Sequence, residues 1–201
     1  MTETKIPEFY CIACNGLDEF AVGQPVEALA AYLNARTPKG IHFNVVGGVD
    51  PMLEQTDIFG NALAAAKRGA VLILIGHSKG AMMMFYLADW LKAQGYRVAL
   101  VIALDATCWG SNMPGTTPWA VIIGENAGKW LAPDNVDDFR YFRQPGYPGG
   151  GYAYPAPGNH TSNLKIYERM ESHVALPDSP PVETMILAAV EKTMAAHGLG
   201  S

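Results

Sequence analysis

The sequence is poor in the features that mark disulfide-bonded, secreted and membrane-spanning proteins. It contains only 3 cysteines in 201 residues, and a small, odd number does not suit a disulfide framework. No apolar run approaches the ~20 residues needed to cross a bilayer, and the first residues lack the basic and then apolar stretch of a secretory signal. We therefore expect a soluble, cytoplasmic protein with no integral membrane association.

Charged residues are also few. They make up 16% of the chain and sum to a net charge of −5. The 14 lysines and arginines form no basic stripe, which argues against nucleic acid as a partner. Apolar residues account for 49% of the chain, enough to bury a substantial core, so residues 1–201 are expected to form a single domain. The sequence leaves the oligomeric state open.

Two of the cysteines, Cys11 and Cys14, lie three residues apart on a predicted strand. Residues at that spacing point to opposite faces of a strand. A metal site or a redox pair would favour a turn or a helix start for such a pair. We expect buried, reduced thiols and no metal site.

The first half of the chain alternates short apolar segments with segments of helical periodicity. The pattern predicts strands at 9–14, 41–46, 70–75 and 96–104, and helices at 25–33, 57–68 and 80–94. This alternation predicts an α/β fold with a mostly parallel central sheet and helices on both faces.

The second half is less regular. Candidate strands lie at 118–124 and 136–143, a late strand is predicted at 164–169, and a final helix is predicted at 180–197. Residues 145–158 are dense in Gly, Pro and Tyr, which predicts a loop.

The pentapeptide Gly76-His77-Ser78-Lys79-Gly80 joins the apolar run 70–75 to the helical segment that follows. A strand, a Gly-x-Ser-x-Gly turn and a helix in this order indicate a nucleophile elbow, in which the serine hydroxyl is exposed at the end of a parallel strand. The two glycines are needed where the incoming strand and the outgoing helix pass closest. Ser78 is therefore the candidate nucleophile.

A serine nucleophile needs a histidine to accept its proton and an acid to orient that histidine. After an elbow, the acid and then the histidine follow in chain order. Asp105 directly follows the apolar strand and is expected at the carboxyl edge of the sheet, beside the elbow. Glu125 is the alternative acid, because it follows the candidate strand at 118–124.

The chain has five histidines. His173 lies between the last predicted strand and the final helix, in a loop that returns to the same sheet edge, and is the candidate base. His160, at the end of the Gly- and Tyr-rich segment, is the alternative base. His77 is expected to point away from the nucleophile, while His42 and His197 are assigned to a strand and to the tail.

The tetrahedral intermediate of acyl transfer needs two backbone donors for its oxyanion. The amide of Lys79, directly after the nucleophile at the amino end of a helix, is one candidate. The turn Asn15-Gly16-Leu17 after the first strand offers the other, through the amide of Leu17.

Together these segments resemble the α/β-hydrolase superfamily. The motifs are GHSKG after a buried strand, NGL after an earlier strand, LDAT after the following strand and SHVALPDSPPV before the final helix. The small size and the position of the acid are similar to the thioesterase-type branch. The resemblance implies hydrolysis of a carboxylic ester or thioester through an acyl-Ser78 intermediate, with His173 as general base and acid and Asp105 as the orienting acid. It implies no metal and no organic cofactor.

The chain departs from parts of that family. It lacks an HGGG-type oxyanion motif and an inserted helical lid, so the segment from Tyr141 to His160 is the candidate lid or substrate loop. Within it, Tyr147, Tyr152 and Tyr154 are the candidate substrate-binding rings, because aromatic side chains can cover an apolar acyl group.

Two rival functions remain at this stage. One is a catalytically inactive protein of the same fold that binds a small apolar ligand. The other is a flavodoxin-like binder of a nucleotide or flavin, with GHSKG as a phosphate-binding turn. The absence of Gly-x-Gly-x-x-Gly and Walker patterns makes the second rival weaker.

Overall fold

A computed structural model describes residues 7–16, 25–47, 54–107, 129–145, 152–158 and 163–199 of the chain. Its strands are β1 (Phe9–Cys14), β2 (Phe43–Val46), β3 (Val71–His77), β4 (Val98–Leu104), β5 (Lys129–Ala132), β6 (Val136–Arg143), β7 (Tyr152–Pro155) and β8 (Leu164–Glu168). Its helices are α1 (Pro25–Asn34), α2 (Gln55–Lys67), α3 (Lys79–Ala93) and α4 (Pro180–Ala196).

Six of the strands form one parallel sheet in the order β2-β1-β3-β4-β6-β8. The central strands β3 and β4 are apolar along almost their whole length and are buried on both faces, as expected for strands covered by helices. The predicted fold class is confirmed.

The core has two parts, one on each face of the sheet. One part contains α2 and α3 residues together with Ile12 and Cys14, and the other contains α1 and α4 residues together with Cys11 and Ala13. The alternation of side chains along β1 therefore sends the two cysteines to opposite faces. Both are buried thiols that form no disulfide, as predicted.

Two expectations for the second half of the chain were wrong. Residues 152–155, predicted as loop, form β7, which pairs in parallel with β5 in a separate two-stranded sheet. The candidate lid was also placed too early, because Tyr141 lies inside β6 and is fully buried against the core. Alternating Tyr and small residues suit a strand as well as a loop, and pairing with β5 decides between them. The candidate strand at 118–124 lies outside the described residues.

The register of the sheet aligns the ends of three neighbouring strands. His77 of β3 is paired with Leu104 of β4, and Leu104 with Phe142 of β6. The next residues along these strands, Ser78, Asp105 and Arg143, therefore follow at one level of the carboxyl edge. No helix within the described part of the chain is long and apolar enough to cross a membrane.

Candidate active site

The elbow has an unusual backbone geometry at the serine between β3 and α3, and Ser78 itself is only 8% exposed. Ser78 adopts φ 55° and ψ −120°, a conformation sparsely populated by residues with a side chain. Such strain costs on the order of 1–3 kcal/mol and persists only where the surroundings enforce it. Here the Ser78 amide donates to the Leu104 carbonyl at 2.9 Å, and the Ser78 carbonyl accepts from the Met82 amide at 3.2 Å. The serine is therefore held from both the neighbouring strand and its own helix.

The two glycines of the pentapeptide are required by contacts with backbone atoms. A Cβ on Gly76 would lie 2.4 Å from the Gly80 carbonyl oxygen, and one on Gly80 would lie 2.3 Å from the Cys14 carbonyl oxygen. Neither neighbour is a flexible side chain that can turn away. The second contact also shows that the end of β1 passes directly beside the first turn of α3.

Asp105 is fully buried at the end of β4 and uses both carboxylate oxygens. Its Oδ2 lies 2.7 Å from His173 Nδ1, and its Oδ1 accepts a hydrogen bond from the Gln144 amide at 3.1 Å. The backbone of Asp105 has φ 47°, in the left-handed region that Asp tolerates better than most residues. A carboxylate hydrogen-bonded in this way favours the imidazole tautomer with a proton on Nδ1, in which Nε2 is the nitrogen that can accept a proton.

His173 lies in the turn between β8 and α4, and 14% of its side chain is exposed. An ion pair holds the start of that turn, with Arg169 Nε donating to Glu171 Oε2 at 3.1 Å, and Ser179 Oγ donating to Glu171 Oε1 at 2.9 Å. The Arg169 guanidinium, with the Ser179 hydroxyl as a smaller contribution, lowers the pKa of Glu171 from 4.5 to about 2. The turn that carries His173 is therefore tied at both ends to one carboxylate.

His77 was expected to point away from the nucleophile, and its ring contacts the loop that carries His173. Its Nε2 donates to the His173 carbonyl oxygen at 2.8 Å, and the two rings lie 4.6 Å apart between centroids. His77 is 1% exposed. Residues adjacent in sequence on a strand point to opposite faces, which is why His77 reaches the His173 loop on one face of the sheet.

Thr107 is a site residue that the sequence reasoning missed. Its Oγ1 lies 3.1 Å from Ser78 Oγ, and its amide donates to the Ser78 carbonyl at 3.2 Å. The signal was present in the LDAT segment, where Thr107 follows Asp105 by two residues. Contact between this threonine and the serine depends on the pairing of β3 with β4, which local sequence does not specify.

The proposed oxyanion donors are only partly described. Lys79 is the first residue of α3, and the whole residue is 2% exposed. Leu17 lies outside the described residues. Asn15, two positions earlier, is buried beside Gly80 and donates through Nδ2 to Glu27 Oε1 at 2.9 Å, so the turn after β1 does reach the elbow.

Other sequence candidates fall into two groups. The alternative acid Glu125, the alternative base His160 and the ring of Tyr147 lie outside the described residues. Tyr152 and Tyr154 lie on β7 and are 50% and 42% exposed, with centroids 6.4 Å apart. Both rings are therefore available to a ligand. His42 is exposed, and the His197 ring packs edge-on against Phe9.

No group of three or more His, Cys, Asp or Glu side chains that could hold a metal ion occurs among the described residues. Burial raises the pKa of the Cys11 thiol to about 12, so this cysteine stays protonated and is a poor nucleophile near neutral pH.

Comparison with known proteins identifies the fold. No family model matches the sequence, and no curated protein matches it. Among solved structures, a protein from Xanthomonas campestris pv. campestris assigned to the α/β hydrolase superfamily is 12% identical, with a TM-score of 0.53 over 92% of this chain and 98% of its own. Est1E from Butyrivibrio proteoclasticus, solved with ferulic acid, is 13% identical, with a TM-score of 0.52 over 98% of this chain and 92% of its own.

A third match is YbtT, a type II thioesterase of the yersiniabactin biosynthetic pathway. It is 10% identical, with a TM-score of 0.53 over 97% of this chain and 95% of its own. At these identities the likeness concerns the fold alone. The chain has the α/β-hydrolase fold.

Proposed function

We propose that the protein is a serine hydrolase that cleaves a carboxylic ester or thioester through an acyl-Ser78 intermediate. His173 is the general base and then the general acid, and Asp105 is its orienting acid. The observation that carries this proposal is the 2.7 Å contact between Asp105 Oδ2 and His173 Nδ1, made by a fully buried carboxylate at the sheet edge where the strained Ser78 lies.

The proton moves follow from that contact. With Nδ1–H donated to Asp105, the His173 Nε2 atom accepts the Ser78 proton as Oγ bonds to the substrate carbonyl carbon. Asp105 stays ionised and stabilises the imidazolium that forms. The imidazolium then donates the proton to the departing alcohol or thiol, and water repeats the sequence in reverse to release the acid and free Ser78.

The developing oxyanion needs backbone donors at the elbow. The Lys79 amide lies at the amino end of α3, where the helix dipole favours negative charge. The amide of Leu17 is the proposed second donor, supported by the close passage of Cys14 and Asn15 beside Gly80. Thr107 Oγ1 can donate to Ser78 Oγ as negative charge develops there.

The substrate class rests on the fold neighbours and on the exposed rings. One neighbour is a type II thioesterase and another was solved with an aromatic acid bound. In this chain the half-exposed rings of Tyr152 and Tyr154 are suited to covering an apolar or aromatic acyl group. Ester and thioester substrates share the same acyl-enzyme, so both remain within the proposal.

The decisive experiment is labelling with a fluorophosphonate, which reacts with an activated serine. The parent protein should be labelled, whereas Ser78→Ala and His173→Ala should not. His42→Ala is the matched control, since it removes a histidine that is exposed near β2, and it should label like the parent. If the folded parent protein is not labelled, the proposed hydrolase function is refuted, and a catalytically inactive protein that binds a small apolar ligand is favoured.

The assignment of acid and base needs separate variants. Asp105→Asn is expected to reduce turnover far more than Glu125→Gln, because the buried carboxylate contacts His173 directly. His160→Ala should retain labelling. If His160→Ala abolished labelling and His173→Ala did not, the base would be misassigned.

A further inference from the structure

Arg143 is the last residue of β6 and lies at the same level of the sheet edge as Ser78 and Asp105. Neighbouring strands are about 4.8 Å apart, which places the Arg143 backbone about 10 Å from that of Ser78. The residue is 7% exposed. The backbone of a buried arginine therefore lies two strands from Ser78, a spacing that a small substrate can bridge.

The hydrogen bonds of Arg143 are incomplete. Its Nη1 lies 3.4 Å from Glu168 Oε1, on a side chain that is 60% exposed, and its buried Nε has no hydrogen-bond partner among the described residues. A buried charged donor without a partner is costly. An arginine with a purely structural role would be expected to have hydrogen-bond acceptors for the N–H groups of its guanidinium.

Arg140, on the same strand but the opposite face, shows the contrast. Its Nε and Nη2 donate to Asp138 Oδ2 at 3.3 and 3.0 Å, and its Nη1 donates to the Met185 carbonyl at 3.3 Å. Residues around β6 can thus provide hydrogen-bond acceptors for all three nitrogens of an arginine side chain. Among the described residues they do not do so for Arg143, which lies at the edge of the sheet that carries the candidate active site.

Tyr152 supplies the second part of the arrangement. The centre of the Arg143 guanidinium lies 3.5 Å from the centroid of the Tyr152 ring. A ring stacked on one face of the guanidinium stabilises its charge and leaves the in-plane N–H donors for a ligand. Tyr152 is half exposed, so this stack borders solvent.

We propose that Arg143, with Tyr152 stacked on it, binds an anionic oxygen group of the substrate, a carboxylate or a phosphate. This subsite rests on the proposed hydrolysis at Ser78 and defines the substrate as an ester or thioester that also carries an anionic group. A guanidinium fork matches the geometry of either anion.

The test compares esters that differ in this group. In one arm, 4-nitrophenyl monoesters of adipic, pimelic and suberic acid are compared with the neutral esters of fatty acids of the same length. In the other, the anion is on the leaving group, and 4-acetoxyphenyl phosphate is compared with phenyl acetate. The parent should prefer one anionic ester by about 10- to 100-fold in kcat/KM, as expected for charge-assisted hydrogen bonds, and the arm that shows the preference identifies the source of the anion.

The variants decide whether Arg143 is responsible. In Arg143→Gln the anionic-to-neutral ratio of kcat/KM should fall toward one, and in Arg143→Lys it should fall partly, since lysine keeps the charge but not the fork. Arg36→Gln is the matched control, because Arg36 also lies over a tyrosine ring, that of Tyr32, at 3.9 Å, and it should keep the parent ratio. A structural role for Arg143 would lower both rates together and leave the ratio unchanged, which would overturn the proposal.

Other outcomes are equally informative. A parent that hydrolyses neutral esters without preferring either anionic ester refutes the subsite and leaves the proposed function intact. If no ester is hydrolysed, the proposed function fails, and calorimetric titration of adipate and inorganic phosphate into the parent and Arg143→Lys then judges the subsite alone. Should Arg143→Gln not fold, Arg143→Lys and competitive inhibition of the parent by the same two anions decide the question.

Discussion

Replacing Gly80 by alanine should damage stability and activity together. The added Cβ would lie 2.3 Å from the Cys14 carbonyl oxygen and 2.4 Å from the Asn15 carbonyl oxygen. Ordinary van der Waals contact begins at 3.4 Å, so the start of α3 and the end of β1 must separate by about 1 Å. Both partners are backbone, and the strain cannot be relieved by rotating a side chain.

The expected cost follows from that displacement. Overpacking of this kind destabilises by about 1–3 kcal/mol. For a domain of this size, each kcal/mol lowers Tm by about 2–4 °C, so Tm should fall by roughly 2–12 °C. A shift of about 1 Å between catalytic groups costs about 100-fold in rate, because the Lys79 amide and the turn after β1 move apart.

Gly60→Ala is the matched control. Gly60 lies in α2, is exposed, and has no atom within 4 Å of an added Cβ. Alanine is favoured over glycine in a helix by about 0.5–1 kcal/mol, so Tm should rise by about 1–4 °C with kcat unchanged. Thermal unfolding followed by circular dichroism and turnover of a 4-nitrophenyl ester give both readouts. A Gly80→Ala protein as stable and active as the parent would refute the argument.

Three further changes test the remaining contacts. Thr107→Val removes the hydroxyl beside Ser78 Oγ without changing the side-chain shape, and kcat should fall about 10- to 100-fold if Thr107 donates to a charged oxygen. Asp105→Asn should lower kcat by about 10⁴-fold, because the amide no longer selects the required tautomer. Glu171→Gln should make the decline in Tm between pH 4.5 and 2 less steep. The Arg169 guanidinium lowers the pKa of Glu171 to about 2. The stability that the Glu171 carboxylate contributes is therefore complete above pH 4.5 and is lost as the pH falls toward 2.

The two changes that test turnover have controls elsewhere in the fold. Thr193→Val removes a buried hydroxyl that donates only to a helix carbonyl, that of Ala189, and should leave kcat as in the parent. Asp137→Asn removes an exposed carboxylate that pairs with Arg97 and should do likewise. Loss of turnover in either control would contradict the contacts assigned to Thr107 and Asp105. A decline in Tm at acid pH that is the same in the parent and in Glu171→Gln would contradict the contact assigned to Glu171.

Local sequence was sufficient for most of the main sheet and its helices. Continuous apolar runs identified β1, β3 and β4 because strands covered on both faces have no polar side. Pro25 and Pro180 marked the starts of α1 and α4, where proline suits the first turn. Boundaries moved by a few residues, since the ends of strands depend on their partners.

Sequence reasoning failed where a partner element decides the structure. The segment that begins at Tyr152 contains tyrosine, alanine and proline in a pattern that predicts a loop. Only its pairing with β5 makes this segment a strand. The contact of His77 with the His173 carbonyl was not predicted, because it depends on the return of the chain before α4. Thr107 lies in the LDAT motif, but its contact with Ser78 depends on the pairing of β3 with β4, and Arg143 lies in no motif.

By itself, the sequence determined the elbow and the chain order of its partners. The local geometry of a strand, a tight turn and a helix requires glycine at positions 76 and 80. This requirement can be recognised in the sequence without knowledge of the rest of the fold. Tertiary structure alone decided which groups meet. The contact of Asp105 with His173 spans 68 positions in the chain, and the level of Arg143 beside Asp105 depends on the register of β4 with β6. Such contacts arise from strand order and packing, which join residues that are far apart in sequence.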